Sequence, residues 1–184
     1  LSIRRQRQMC IRDRKYVYAV FNYVYVKKKP LWYWLSNRPG SQMAEPYISL
    51  IGNPNSGKTT VFNSLTGSRQ QVGNWPGVTT DKKTGYYYFE TIKYKVLDLP
   101  GTYAIETDPE GVSQDEKVTR NFVLQDQDSV LVNILDASSL QRGLYLTLQL
   151  LRLNRPLIVV LNMIDVAKSK GLKVNAKKLE EALG

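Results

Sequence analysis

The sequence predicts a three-layer α/β domain, in which helices cover a mainly parallel sheet that carries one antiparallel edge hairpin. Short apolar runs alternate along the chain with helical patterns, which is typical of this class. Two of the runs, VLVNIL and PLIVVL, are nearly continuous, as in parallel strands covered on both faces. With 42% hydrophobic and 23% charged residues over 184 positions, the chain has the composition of a globular protein with one ordinary domain.

The strands follow from apolar runs and the turn residues between them. Residues 47–51 (YISLI) form a short apolar run that ends at Gly52, as a buried strand does before a tight turn. Residues 83–90 and 93–98 are joined by a short connection that suits a hairpin. The two central apolar runs, 130–135 and 156–161, complete the predicted strands. The polar segment 67–81 contains Gly73, Pro76 and Gly77 and predicts a long loop.

The helices follow from apolar spacing and capping residues. A short helix over 59–66 places three apolar side chains on one side, and a second helix spans about 113–125. Four leucines recur at helical spacing over 139–153 and predict an amphipathic helix: Leu140, Leu144, Leu148 and Leu151. Asp136 and Ser138 indicate a turn and a helix cap, and Asn175 caps a final helix ending at 183–184. Because one more strand and helix would complete the sheet, we expect this body to be incomplete at its C-terminal end.

The net charge of +10 is concentrated in a leader, residues 1–42. This leader holds ten Lys or Arg residues and one acid, Asp13, whereas residues 43–184 hold 16 basic and 15 acidic residues. A basic nucleic-acid-binding face is therefore not expected in the body. The leader lacks an initial methionine and changes composition abruptly before Met43, which predicts an artefactual or disordered extension. Its alternating, tyrosine-rich part is also compatible with a strand or an interfacial anchor.

The composition excludes several kinds of chemistry. There is no histidine, so Ser-His-Asp triads, Cys-His pairs and histidine-zinc sites are ruled out. The single cysteine, Cys10, lies in the leader, and the body therefore has no disulfide and no cysteine-ligated metal. No apolar run approaches the roughly 20 residues of a membrane helix.

A phosphate-binding loop is the strongest motif of the chain. GNPNSGKTT matches G-x-x-x-x-G-K-[ST] between the first predicted strand and the first predicted helix, which is the required context. Its two glycines let the backbone turn N–H groups inward, Lys58 can reach the β- and γ-phosphates, and Thr59 can ligate magnesium. The predicted nucleotide-binding residues here are Gly52, Asn53, Pro54, Asn55, Ser56, Gly57, Lys58, Thr59 and Thr60.

Two further motifs follow predicted strands and add to the nucleotide site. In the first, DLPG, Asp98 can hold magnesium through water and the Gly101 N–H can meet a γ-phosphate. In the second, NMID, the Asp165 carboxylate can accept the two N–H donors of the guanine edge, which makes guanine the favoured base. The predicted contacts from these motifs are Asp98, Leu99, Pro100, Gly101, Asn162, Met163 and Asp165.

Taken together, these motifs resemble the G domain of the ferrous iron transport protein B family, a Ras-like P-loop NTPase fold. The resemblance covers about 47–184 and rests on GNPNSGKTT, on TGSRQQVGNWPGVTTDKKTG, on DLPGTY, on LQRGLYLTLQLL and on LNMIDVAKSKG. The phosphate loop marks only a superfamily. The stretch VGNWPGVT ahead of DLPGTY is much more specific.

The resemblance implies roles for further residues. Thr79, next to the nucleotide contacts Gly77 and Val78, would meet magnesium and the γ-phosphate; Asn55 would bind potassium with backbone carbonyls near Gly73 and Trp75. The implied catalytic residues are Lys58, Thr79 and Gly101, the magnesium ligands are Thr59, Thr79 and Asp98, and the implied cofactors are GTP, Mg²⁺ and K⁺. Thr102 stands where many small GTPases place a glutamine, which implies slow hydrolysis. Met163 stands where the usual guanine motif has lysine, which implies modest affinity.

The implied function is GTP binding and hydrolysis in a ferrous iron uptake transporter, with switch loops 67–81 and 98–113 coupling nucleotide state to Fe(II) transport. The whole protein would act at the cytoplasmic face of the bacterial cytoplasmic membrane, and this fragment alone would be soluble. Implied partners are GTP and GDP, the helical regulatory and membrane domains of the full-length protein and small accessory iron-transport proteins, with no nucleic acid. A potassium-activated RNA- or ribosome-associated GTPase is the alternative, against which the near-neutral body speaks. A P-loop ATPase or kinase is disfavoured by Asp165.

Overall fold

The computed structural model describes residues 24–26, 47–67, 70–89, 92–106, 112–126, 128–155 and 157–183. The strands are β1 (Val24–Val26), β2 (Tyr47–Ile51), β3 (Gln70–Asn74), β4 (Asp81–Phe89), β5 (Ile92–Asp98), β6 (Val130–Asp136) and β7 (Leu157–Asn162). The helices are α1 (Lys58–Thr66), α2 (Gln114–Gln125), α3 (Leu140–Arg152), α4 (Ile164–Ser169) and α5 (Ala176–Leu183). One turn of 3₁₀ helix, Ala137–Ser139, precedes α3, and Asp136 caps it by accepting a hydrogen bond from the Ser138 N–H at 2.8 Å, as predicted.

All seven strands that the structure describes belong to one sheet, in the order β1-β7-β6-β2-β5-β4-β3. The central four strands, β7, β6, β2 and β5, run parallel, and the outer strands pair antiparallel. This arrangement confirms the predicted fold class, including the hairpin β4–β5. Because β2, β5 and β7 run parallel, the phosphate loop, DLPG and NMID all start from the same edge of the sheet.

Two apolar layers hold the helices against the sheet. On one face, Val61 and Phe62 of α1 pack in a cluster with residues of β2, β5, β6 and β7. On the other face, Val123 of α2 and Leu146 of α3 lie in a second cluster. The strands alternate between the two: in β6 the side chains of residues 130, 132 and 134 join the first cluster, and those of 131 and 135 the second.

The prediction of a loop over 67–81 is partly wrong, because this segment contains β3. β3 runs antiparallel to β4, with Gly73 opposite Lys82, and four of its five residues are exposed. An edge strand of this kind (QQVGN) has no apolar pattern, so periodicity misses it. What defines it is the ladder of hydrogen bonds to β4.

Most of the predicted leucine stripe of α3 faces the core. Leu140, Leu144 and Leu151 are partly buried against the second cluster, whereas Leu148 is 53% exposed. The most buried residues of the helix lie beside the stripe: Gly143, Leu146, Thr147, Gln149 and Leu150. A Cβ at Gly143 would lie 2.5 Å from Cδ2 of Leu135, so the helix approaches β6 more closely than a larger residue allows.

Most of the leader lies outside the described residues, and so does most of what the sequence predicts for it. Within the leader the structure describes β1, which runs antiparallel along the outer edge of β7, with Val24 opposite Val160 and Val26 opposite Ile158. Pro156, at the predicted start of β7, also lies outside the described residues. The short helix α4 was not predicted. Within the described ranges, no helix combines the length and the apolar character needed to cross a bilayer.

Candidate functional site

A cavity of about 570 Å³ opens at the edge where the central strands end. It brings together seven residues that the sequence predicts to contact nucleotide or metal: Lys58, Thr59, Thr79, Asp98, Leu99, Pro100 and Gly101. Five residues that the sequence analysis did not select also line it: Thr80, Asp81, Lys83, Gln114 and Asp115. The phosphate loop, DLPG and the implied switch threonine are therefore neighbours in space.

The phosphate loop leads from β2 into α1 through left-handed backbone at Asn55 (φ 62°) and Gly57 (φ 85°). A Cβ at Gly57 would overlap the side-chain amide of Asn162, so only glycine fits there. Gly57 is the N-cap of α1, and no described side chain caps this helix or places a carboxylate in its first turn. The first N–H groups of α1 therefore keep their capacity to bind an anion.

Lys58 is held inside its own loop. Its ammonium donates a hydrogen bond to the carbonyl oxygen of Asn53 at 3.1 Å, and the residue is only 8% exposed. Burial lowers the pKa of Lys58, and the attraction of Asp98 only partly opposes this effect. A negative group placed beside Lys58 would favour its charged form, so the loop is electrostatically suited to phosphate.

Asp98 ends β5 as a buried carboxylate. The Thr59 hydroxyl donates to its Oδ2 at 3.1 Å, while Oδ1 has no partner among the described residues. Burial raises the pKa of Asp98, and the hydrogen bond from Thr59 and the charges of Lys58 and Lys83 lower it in part. A hydroxyl and a carboxylate with a spare oxygen are the hard ligands that Mg²⁺ prefers, and Thr79 lines the same cavity. The predicted magnesium residues thus fit the ion in type and in placement.

The NMID segment lies against the phosphate loop. The side-chain amide of Asn162 donates to the carbonyl oxygen of Ser56 at 3.0 Å, across 106 residues of sequence. Met163 has left-handed backbone (φ 57°), caps α4, and brings its Cε within 3.7 Å of where a Cβ of Gly57 would stand. Asp165 is exposed in the first turn of α4. The segment that carries Asp165 therefore begins in contact with the phosphate loop.

The remaining residues of the phosphate loop do not line the larger cavity. Asn53, Pro54, Asn55 and Ser56 line a separate cavity of about 110 Å³. A Cβ at Gly52 would lie 2.5 Å from the carbonyl oxygen of Ile134, so this end of the loop is closely packed. The Thr60 side chain is exposed on α1.

The structure does not bring the implied potassium ligands together. Gly73 lies in β3, and the strands β5 and β4 stand between β3 and β2, from which the phosphate loop starts. The Trp75 carbonyl accepts a hydrogen bond from the Val78 N–H at 3.2 Å, in a turn that includes Gly77 (φ 77°). Asn55 lines the smaller cavity instead.

The ring of Trp75 explains part of this placement. It is buried against Phe122 of α2, with ring centroids 5.4 Å apart, and the Lys82 ammonium lies 4.8 Å from its centroid. The Thr80 hydroxyl donates to Oδ1 of Asp115 at 2.8 Å. Residues 75–80 are therefore attached to α2 through Trp75 and Thr80, while Thr79 and Thr80 line the larger cavity together with Lys58 and Thr59.

Several polar residues that position the site were missed by sequence analysis. The hydroxyl of Thr119, in α2, donates to the Pro100 carbonyl at 2.8 Å, and Gln149, in α3, accepts from the Ile105 N–H at 2.7 Å. Apolar periodicity carries no signal for such residues. The start of α2, by contrast, carries a local sequence signal, because Ser113 and Glu116 form a capping box of the S-x-x-E type.

Comparison with known families and proteins gives a consistent result. The family described as "Ferrous iron transport protein B" matches residues 47–184. The chain is 47% identical over 135 residues to the "Fe(2+) transporter FeoB" of Legionella pneumophila (strain Lens). It is 49% identical over 137 residues to the protein of the same name from Escherichia coli (strain K12). These matches cover 73% and 74% of this chain but 18% of each relative, so the similar region is less than a fifth of their length.

Solved structures of similar domains agree with the fold. The cytosolic domain of L. pneumophila FeoB is similar with a TM-score of 0.71 and 46% identity, over 73% of this chain and 58% of that one. The G domain of the T. maritima FeoB iron transporter gives 0.68 and 35%, over 77% and 84%. An S. thermophilus NFeoB mutant bound to mGDP gives 0.67 and 44%, over 75% and 51%.

Replacing Asp98 by Asn is expected to stabilise the nucleotide-free protein near neutral pH. Because burial raises the pKa of Asp98, the native state binds a proton at this carboxylate more tightly than the unfolded state does. The protein therefore loses stability as the pH rises above 3.8, the ordinary pKa of an aspartate. Urea unfolding of parent and Asp98→Asn should give a stability difference that is largest near pH 7 and shrinks toward pH 4. A difference that grows on acidification would contradict the assignment.

Proposed function

The chain belongs to the ferrous iron transport protein B family, and we propose that residues 47–184 bind and hydrolyse GTP as the nucleotide-dependent module of a ferrous iron transporter. The observation that carries this proposal is the single cavity that Lys58, Thr59, Thr79 and Asp98 share. An uncapped helix start, an ammonium, two hydroxyls and a carboxylate together suit a nucleoside triphosphate with its magnesium ion. Transport of Fe(II) is proposed only for the whole protein. The matched relatives are several times longer than the region of similarity.

The triphosphate would be gripped by the main chain of residues 52–59 and by Lys58. On binding, the Lys58 ammonium would exchange the Asn53 carbonyl, 3.1 Å away, for phosphate oxygens. The negative phosphates would favour the protonated lysine and so reverse the effect of burial on its pKa.

The hydroxyls of Thr59 and Thr79 and the Asp98 carboxylate would hold magnesium. When bound, the ion neutralises charge that develops on the β- and γ-phosphates. The chain itself offers little help to the attacking water: Thr102 is buried, and its hydroxyl donates to the Ala104 carbonyl at 2.6 Å. Slow hydrolysis, with the γ-phosphate met by the Gly101 N–H, is the behaviour this arrangement supports.

Potassium stimulation is proposed as well, with Asn55 and the carbonyls of Gly73 and Trp75 as ligands. It requires residues 70–80 to leave the positions described above, because the Trp75 carbonyl is engaged by Val78 and Gly73 is paired in β3. Ordering of a switch segment around the γ-phosphate is a known type of transition in GTPases. A monovalent cation would then be bound only in the triphosphate state.

Guanine would be read by Asp165, with Met163 covering the base in place of the usual lysine stem. The whole protein is proposed to act at the cytoplasmic face of the bacterial cytoplasmic membrane. Its helical regulatory and membrane domains, and small accessory iron-transport proteins, are the proposed partners.

Lys58→Ala is expected to abolish GTP and GDP binding while the domain stays folded, because the variant loses the only cation held within the described loop. Fluorescent-GDP titration and circular dichroism measure the two properties. Lys177→Ala, which changes an exposed lysine of α5, is the matched control. Unchanged affinity in Lys58→Ala would refute the phosphate-loop assignment.

Asp165→Ala is expected to erase the preference for GTP over ATP, because the carboxylate supplies the contact that adenine cannot match. A competition assay against a fluorescent guanine nucleotide measures this preference. Asp128→Ala, an exposed carboxylate in the turn before β6, serves as the control. A parent protein that binds ATP and GTP equally would disprove guanine recognition.

Asn55→Ala is expected to remove potassium stimulation of GTP hydrolysis without preventing nucleotide binding. Initial rates in equal concentrations of potassium and sodium chloride, at fixed magnesium, give the measurement. Asn121→Ala, which changes an exposed asparagine of α2, is the control. Equal rates of the parent in the two salts would count against the potassium site.

A further inference from the structure

One side chain of α2 and one side chain of α3 hold the backbone of the loop that follows β5. The Thr119 hydroxyl, completely buried in α2, holds the Pro100 carbonyl at 2.8 Å. Farther along the loop, Oε1 of Gln149 accepts the N–H of Ile105 at 2.7 Å and that of Glu106 at 3.4 Å. Residues 101–104 lie between these two points of attachment.

Gln149 is well placed to act as a fixed point. Its side chain is 3% exposed, and α3 packs on β6 through the buried side chains of Leu146 and Leu150, which belong to the same apolar cluster as residues of β6. Gly143 lets the helix approach Leu135 closely. An amide oxygen that accepts two consecutive backbone N–H groups fixes the direction of the chain as well as its position.

The part of the loop between these two side-chain contacts lies against the phosphate loop. A Cβ at Gly101 would lie 3.0 Å from Pro54, and the Thr102 N–H donates to the Gly52 carbonyl at 3.2 Å. Ile105 is only three residues beyond Thr102. A shift at Ile105 would therefore strain the bond from Thr102 to Gly52, and with it the position of the adjacent Gly101 N–H.

We propose that Gln149 is a positioning residue for hydrolysis: it fixes the end of the DLPG loop on α3 so that the Gly101 N–H stands where a γ-phosphate would arrive. The inference rests on the proposed GTPase function. It adds that α3, which does not line the larger cavity, responds to the occupant of that cavity through this amide. The exposed ion pair between Arg152 and Glu106 (3.1 Å) joins the same helix to the same loop and contributes little by comparison.

Gln149→Leu tests the proposal, because leucine is of similar size but has no acceptor for the Ile105 N–H. It is expected to lower kcat for GTP hydrolysis and the affinity for a non-hydrolysable GTP analogue by about five- to tenfold, as expected for one lost buried hydrogen bond. Affinity for GDP should change less than about twofold, since GDP has no γ-phosphate for Gly101 to meet. Gln149→Glu keeps the acceptor oxygen and should recover most of the loss.

Thr147→Val is the matched control. It removes a buried hydrogen bond from the same helix, two residues away, but that bond goes to Asn133 and not to the loop. It should lower thermal stability as Gln149→Leu does and leave the ratio of GDP to GTP-analogue affinity unchanged. If both variants change this ratio equally, the effect is general destabilisation and the proposal is wrong.

Amide hydrogen exchange separates this proposal from the proposed function. In the nucleotide-free parent, the N–H groups of Ile105 and Glu106 should be protected, and Gln149→Leu should remove that protection while Thr147→Val keeps it. If only Gln149→Leu loses this protection but the parent protein binds no GTP, the contact between Gln149 and the loop is supported and the proposed GTPase function is disproved. Unprotected amides in a parent that does hydrolyse GTP would disprove the anchor alone.

Discussion

The phosphate loop is held against the rest of the domain from three directions. Asn162 of β7 donates to the Ser56 carbonyl, the Thr102 N–H donates to the Gly52 carbonyl, and Asn53 donates to the carbonyl of Arg142 in α3. Each bond comes from a different segment that starts at the same edge of the sheet. An isolated loop of this sequence would lose its conformation to entropy, so the parallel order of the central strands is a precondition of the site.

The absence of a Cβ at Gly57 links this support to recognition of the base. Asn162 can reach the Ser56 carbonyl only because its amide occupies the space that a side chain at Gly57 would need. The same contact brings Met163, and with it the start of α4, against the loop. The proposed phosphate site and the proposed guanine site thus share a single point of close approach.

The sequence was sufficient for the parts of the site that depend on local pattern. The phosphate loop, DLPG and NMID all follow apolar runs, and parallel strands bring their ends to one edge, so their meeting could be predicted. The strand β3 could not, because it is defined by its pairing with β4. The close approach of α3 at Gly143 and its buried polar residues could not either, because only the packing against β6 defines them. Gln149 was invisible for the same reason: its contact depends on a loop 44 residues away in sequence. The potassium ligands implied by family resemblance stay a prediction, since Asn55 lines the smaller cavity and Gly73 is paired in β3.

The account depends on main-chain amides at the start of α1 binding phosphate. The most direct measurement is a proton–nitrogen NMR titration of the parent chain with GDP and magnesium, following the amide signals of the described residues. The account predicts that the signals of Gly57, Lys58 and Thr59 move farthest, downfield and to saturation at one nucleotide per chain. Movements confined to the edge strand β3, or to the smaller cavity around Tyr103, with these three signals unchanged, would contradict it.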